Sequence, residues 1–177
     1  MDDTEIRDDT ARLHGGDTLV ISRWLPGPAE RIWRYLTDAD LRRLWLADGV
    51  MVPRAGAPLE LIWRNDGLSS PGDPRPEGFA EEQRMTSRVI AFDPPHRLVI
   101  AWGATGEVAF DLLPRGDRVL LRITHSGLGD PAPRSMIAAG WHSHLDILRA
   151  RLDGGAAPSF WGHWAALRAE YDRQFSG

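Results

Sequence analysis

Between residues 119 and 155 the apolar positions change from a period of two to a period of about 3.6. In the first part, the residues on one face are Val119, Leu121, Ile123 and His125. After a corner rich in glycine and proline, the residues within about 40° of one helical line are Ile137, Trp141, Leu145, Leu148 and Leu152. Gly154 and Gly155 then end the pattern. This predicts a strand followed by a long helix that needs a concave apolar surface to cover.

The earlier part of the chain predicts one strand, two short helices and about six further strands. The first strand lies near Leu19 to Trp24, Pro28 begins a helix that reaches Thr37, and Asp38 caps a second one. The later strands are expected near residues 50–52, 59–65, 78–92, 97–102, 107–113 and 118–126. Residues 66–77 are predicted to form an exposed loop. The order favours an α+β fold in which a curved antiparallel sheet of six to seven strands wraps around the long helix.

The chain divides into three parts by composition. Residues 1–16 are polar, charged and without periodicity, and we expect a disordered acidic tail. Residues 17–155 carry the predicted sheet and long helix. Residues 156–177 are expected to form a helical extension, whose apolar positions are Phe160, Trp164, Leu167, Tyr171 and Phe175. Ser159 is placed to cap it. We expect this stripe to pack on its own domain, with a homodimer interface as the alternative.

Charge and composition exclude several classes of function. The net charge of −4 lies entirely within residues 1–17, so the rest of the chain has no basic excess for nucleic acid. All 21 basic residues are arginine, and there is no cysteine for disulfides or thiolate metal sites. No apolar run approaches about 18 residues. We therefore expect a cytoplasmic protein that neither binds nucleic acid nor inserts into a membrane.

Four stretches of sequence resemble a known family: PGPAERIWRYLTDADLRRLWL, IAFDPPHRLVIAW, VLLRITHSGL and GWHSHLDILRARLDG. They are similar to bacterial homologues of the activator of the ninety-kilodalton heat-shock protein ATPase. That family belongs to the helix-grip superfamily, with START lipid-transfer domains, polyketide cyclases and the birch-pollen allergen. The resemblance covers about Thr18 to Gly155 and implies an apolar pocket between the sheet and the long helix. The superfamily shares this cavity and not one chemistry.

Three histidines near the predicted long helix are candidates for chemistry. His125 continues the inward face of its strand, where it either contacts a ligand or is a core histidine satisfied by backbone. His144 lies at the margin of the pocket and His142 is expected to meet solvent. On a helix these last two imidazoles are about 200° apart and cannot share one ion, so no metal site is predicted.

The carboxylates give little support to catalysis. Strand parity places Glu107 and Asp111 on the solvent face. The same reasoning turns Glu81 inward, unless a bulge reverses the phase. No Ser-His-Asp order, nucleotide loop or phosphate-binding glycine pattern occurs, and no cofactor is predicted.

Large side chains converge on the predicted interior. Parity and helical phase turn Trp63, Trp102 and Trp141 inward, and Trp45 ends the second short helix, where such folds open to solvent. The predicted ligand-contacting residues are Trp45, Trp63, Glu81, Met85, Trp102, Phe110, His125, Met136, Trp141 and His144. They predict an aromatic-lined cavity of at least roughly 300 Å³.

The favoured function is binding of a small hydrophobic or aromatic molecule in that cavity. One alternative is an enzyme of the polyketide-cyclase type, in which His125, Glu81 or Arg84 polarises a bound carbonyl. Another is a chaperone-binding module that acts through its surface. A catalyst requires a polar group of unusual pKa inside the pocket, whereas a binder requires only apolar walls.

Overall fold

The computed structural model describes residues 10–129 and 133–176. The strands are β1 Arg12–His14, β2 Thr18–Pro26, β3 Pro58–Trp63, β4 Gln83–Asp93, β5 Arg97–Trp102, β6 Gly106–Arg115 and β7 Arg118–Ser126. The helices are α1 Ala29–Thr37, α2 Ala39–Arg42, α3 Arg134–Asp153 and α4 Phe160–Phe175, with a 3₁₀ helix at Asn65–Leu68. Within the described ranges, no helix combines the length and the apolar character that crossing a membrane requires.

The seven strands form one antiparallel sheet in the order β1-β2-β7-β6-β5-β4-β3. The strand register places apolar residues beside one another on the same face of the sheet. For example, Ile123 of β7 lies opposite both Ile21 of β2 and Phe110 of β6. A bulge between Val89 and Ala91 shifts the phase of β4. The predicted inward face of β7 is buried along its whole length. The predicted α+β class and curved antiparallel sheet are confirmed.

Helix α3 packs against the concave side of the sheet through its apolar stripe. Trp141, Leu145 and Leu148 are all buried in the main core. The helix ends where the sequence predicts, since Gly154 adopts the left-handed conformation with φ of 74°. The long helix is therefore fixed over the sheet by the positions that the 3.6-residue period identified.

Helix α4 lies against α3 and buries its own aromatic positions. The buried residues of this helix are Phe160, Trp161, Trp164, Leu167 and Tyr171. Ser159 stands at the N-cap position of α4 as predicted, but its side chain makes no capping bond. Instead, the Asp73 carboxylate accepts the Gly162 N–H at 2.7 Å, and the Ser159 hydroxyl donates to the same oxygen. The loop at residues 66–77 is thus held to the start of α4, where the sequence pattern predicted a freely exposed loop.

The segment just before β2 is ordered, which corrects part of the expected tail. Residues 12–14 form β1, and Ala11 is fully buried. The Ala11 N–H donates to the Tyr171 hydroxyl at 2.8 Å, and the Gln174 amide donates to the Ala11 carbonyl at 2.9 Å. Because α4 supplies these partners, the local sequence could not reveal them. Residues 1–9 of the predicted tail lie outside the described residues.

A buried ion pair joins β2, α3 and α4. Arg23, only 1% exposed, donates to Asp146 at 2.9 Å, and His163 of α4 lies 2.8 Å from the other carboxylate oxygen. The expectation that His142 meets solvent is wrong, because α4 covers it and its Nδ1 lies 2.8 Å from the Tyr171 hydroxyl. A buried charge requires its partner, so this cluster fixes α4 in one position on α3.

A candidate ligand-binding cavity

A cavity of about 330 Å³ lies between the end of the sheet, α3 and α4. Strands β3, β4 and β5 form one wall, and the two helices form the other. The cavity opens to solvent beside Glu81, Gln83 and Arg84, whose side chains are exposed.

Seven aromatic side chains line this cavity: Trp63, Phe79, Trp102, Trp141, Phe160, Trp161 and Trp164. Neighbouring rings meet edge to face or at a tilt. The ring centroids of Trp63 and Trp102 are 5.4 Å apart, and those of Phe79 and Trp164 are 5.1 Å apart. Such contacts stabilise aromatic pairs beyond their burial and fix the ring planes. The cavity therefore has a preformed, aromatic wall.

Three of the wall tryptophans are anchored through their indole nitrogens. Trp141 donates to the His125 Nδ1 at 3.1 Å, Trp161 donates to Asp66 at 2.8 Å, and Trp164 donates to a backbone carbonyl at 3.2 Å. Buried indole N–H groups usually need such partners. Because these donors are occupied by the protein, these three rings offer the cavity apolar surface and no free N–H.

Seven of the ten predicted site residues border the cavity. They are Trp63, Glu81, Met85, Trp102, Met136, Trp141 and His144. The other three predicted residues do not border it. They are Trp45, Phe110 and His125.

His125 supports the wall from behind. Its side chain is 2% exposed, its Nδ1 accepts from Trp141, and its ring lies 5.0 Å from that of Trp102. Burial lowers the pKa of His125 to about 4, so the imidazole is neutral near pH 7. Phe110 likewise packs edge-on against Trp141, at 5.8 Å. Both residues face inward as parity predicts, but they contact rings of the wall and do not border the cavity themselves.

Trp45 is fully buried, and not at an opening as predicted. Its indole N–H donates to the Tyr35 carbonyl at 2.8 Å. The cause lies in the buried guanidinium of Arg42, which donates to the carbonyl oxygens of Leu36, Ala47 and Gly49. These bonds fold the chain after α2 inward, so that Trp45 enters the core and the neighbouring Leu46 reaches the cavity.

His144 is the most buried polar side chain at the cavity, at 5% exposed. Its Nδ1 lies 2.7 Å from the Trp45 carbonyl oxygen, and its ring stacks on Phe160 with centroids 4.5 Å apart. A carbonyl can only accept, so Nδ1 carries the proton and Nε2 is left with a lone pair. Burial lowers the pKa of His144 to about 4, despite the opposing effect of the Trp45 bond. The neutral imidazole is therefore an acceptor at Nε2.

The charged side chains lie at the mouth or on the outer face. Glu81 borders the mouth, but the β4 ladder begins only at Gln83, so strand parity does not set its direction. Arg84 donates to Glu82 at 2.6 Å and lies 3.5 Å from Glu60. No group of three or more histidine, aspartate or glutamate side chains in residues 10–129 and 133–176 is placed to hold a metal ion.

Several wall residues were not predicted from the sequence. Phe160, Trp161 and Trp164 of α4 face the cavity, as do Phe79 and Asn65. The sequence shows the aromatic stripe of α4, but it does not show which surface the stripe covers. The Asn65 Oδ1 is buried and has no hydrogen-bond partner in the described residues. No sequence signal distinguished this asparagine from an ordinary loop residue.

Comparison with known proteins places this geometry in a family. The model of the family "Activator of Hsp90 ATPase homolog 1-like protein" matches residues 26–153. The solution structure of the protein encoded by gene BPP1335 of Bordetella parapertussis is similar at 33% identity with a TM-score of 0.78, covering 94% of this chain and 90% of that one. No curated protein matches the chain.

Two more distant structures share the fold. CalU16 from Micromonospora echinospora is 19% identical with a TM-score of 0.65, and the match covers 93% of each chain. DynU16, a protein in the dynemicin biosynthetic locus, is 18% identical with a TM-score of 0.65. That match covers 82% of this chain and 51% of DynU16. At these identities the likeness concerns the fold alone.

Proposed function

The chain belongs to the family of Activator of Hsp90 ATPase homolog 1-like proteins, and we propose that within this fold it binds a small hydrophobic or aromatic molecule in the cavity between the sheet, α3 and α4. The observation that carries the proposal is the wall of seven aromatic rings around about 330 Å³. Small-molecule sites are typically concave, mostly apolar and on the order of 300–1,000 Å³. The cavity lies at the small end of that range.

The three residues that the sequence offered for catalysis are not held inside the cavity. Of the residues considered for polarising a carbonyl, His125 lies behind Trp141, while Glu81 and Arg84 stand at the exposed mouth. Arg84 is also engaged by carboxylates. Electrostatic catalysis is strongest where charge and donors are held away from water. A polyketide-cyclase-type reaction that uses these three residues therefore has less support than binding, and a chaperone-binding surface would leave the aromatic wall without a role.

Filling the cavity should abolish binding without unfolding the protein. Gly140 of α3 borders the cavity, and a Cβ added there would have no heavy atom within 4 Å. We expect Gly140→Leu to weaken binding of the dye N-phenyl-1-naphthylamine by tenfold or more, because the new side chain occupies ligand volume. Stability should stay equal or rise, since leucine favours a helix interior by roughly 0.5–1 kcal/mol over glycine. Fluorescence titration and thermal unfolding measure the two effects.

The matched control is Gly155→Leu, just beyond the far end of α3. Gly155 is exposed and also has no heavy atom within 4 Å of an added Cβ. This variant should bind the dye as the unchanged protein does. Equal binding by the unchanged protein and Gly140→Leu would contradict the proposed site.

A further inference from the structure

His144 presents a hydrogen-bond acceptor at the cavity. The residue is only 5% exposed and borders the cavity. The bond from its Nδ1 to the Trp45 carbonyl leaves Nε2 with a lone pair. An acceptor held largely away from water is unfavourable without a donor, so an incoming donor would relieve that cost.

Three of the indole donors in the cavity wall are occupied by the protein. The indole N–H groups of Trp141, Trp161 and Trp164 donate to His125, Asp66 and Met136. At the mouth, the guanidinium of Arg84 contacts Glu82 and Glu60. Beside these three rings the cavity offers a ligand apolar surface and the acceptor of His144.

From this acceptor, and resting on the proposed binding function, we infer that the cavity selects aromatic molecules that carry a hydrogen-bond donor, such as a phenolic hydroxyl. The rings would contact the tryptophan wall, and the donor would meet His144 Nε2. Sites with unpaired polar groups discriminate strongly against analogues that lack the matching group. The corresponding methyl ether keeps the rings but loses the donor.

The test compares 2-naphthol, 2-methoxynaphthalene and naphthalene by isothermal titration calorimetry on the unchanged protein. We expect 2-naphthol to bind about tenfold more tightly than its methyl ether, which corresponds to roughly 1.4 kcal/mol. Equal binding of the two, or tighter binding of the ether, would overturn the inference and leave the proposed function standing. If none of the three compounds binds, the proposed function itself fails.

One variant identifies the acceptor. His144→Phe keeps a flat ring but removes Nε2, and it should bring the preference for 2-naphthol close to one. His96→Phe, at an exposed turn, is the control and should keep the full preference. If His144→Phe does not fold, the comparison of the three compounds on the unchanged protein still decides whether a donor is selected. A preference that survives in a folded His144→Phe protein would show that the donor is recognised elsewhere.

Discussion

Removal of residues 156–177 should leave a chain that no longer unfolds cooperatively. Helix α4 buries five large side chains against α3 and the loop before β4. At about 1.5–3 kcal/mol for each buried side chain, their loss approaches the 5–15 kcal/mol that stabilises a whole domain. The deletion would also expose the apolar surface beneath and open the cavity to solvent. Circular dichroism on heating and size-exclusion chromatography measure the loss.

Smaller changes separate this effect from simple shortening. A chain that ends after Phe175 keeps every buried position of α4 and should unfold normally. Leu167→Ala should cost about 2–5 kcal/mol, since Leu167 is buried, whereas Arg173→Ala at an exposed position should cost little. If the stripe instead served as an interface between two copies, the truncated chain would be a folded monomer. A truncated chain that melts cooperatively would contradict the packing role.

Stability should fall steeply as the pH falls from about 6.5 to about 4. Burial lowers the pKa of His125, His142 and His144 to about 4, below the ordinary 6.5. Between these values the unfolded chain binds protons that the folded chain excludes, so acid favours unfolding. With three such groups, the free energy of unfolding should change by up to about 4 kcal/mol per pH unit. Above pH 6.5 this contribution is fully present.

Urea unfolding at pH 7.0, 5.5 and 4.5 measures the slope directly. Replacing one of the three histidines should make the dependence shallower by up to about a third. His142→Asn suits this test because its ring lies outside the cavity wall. A free energy of unfolding that stays constant from pH 7.0 to 4.5 would refute the account of these buried imidazoles.

The features predicted correctly from the sequence are those set by long, regular periods. The alternation that ends at His125 predicts strand β7, and the stripe through Trp141 predicts helix α3. Each pattern also identifies the side of its element that faces the core. Because a residue's face follows from local geometry, Trp63, Trp102 and Trp141 could be turned inward without knowledge of their partners.

The errors concern residues whose surroundings come from distant parts of the chain. His125 faces inward as predicted, but whether it reaches a ligand depends on Trp141, which covers it. Trp45 is drawn into the core by the hydrogen bonds of Arg42. The role of α4 depends on contacts such as Asp73 with Gly162, 89 positions apart. Local periodicity carries no information about such pairs.

The eight tryptophans provide the most direct test of the binding cavity. Five of them line it, namely Trp63, Trp102, Trp141, Trp161 and Trp164, and the other three, Trp24, Trp33 and Trp45, do not. Each indole N–H gives one signal in a ¹H–¹⁵N spectrum, assignable by single Trp→Phe substitutions. On titration with N-phenyl-1-naphthylamine, we expect saturable shifts in the five wall signals and little change at Trp24 and Trp33. Saturable shifts confined to Trp24 and Trp33, or none at any tryptophan, would contradict the proposal that this cavity is the ligand site.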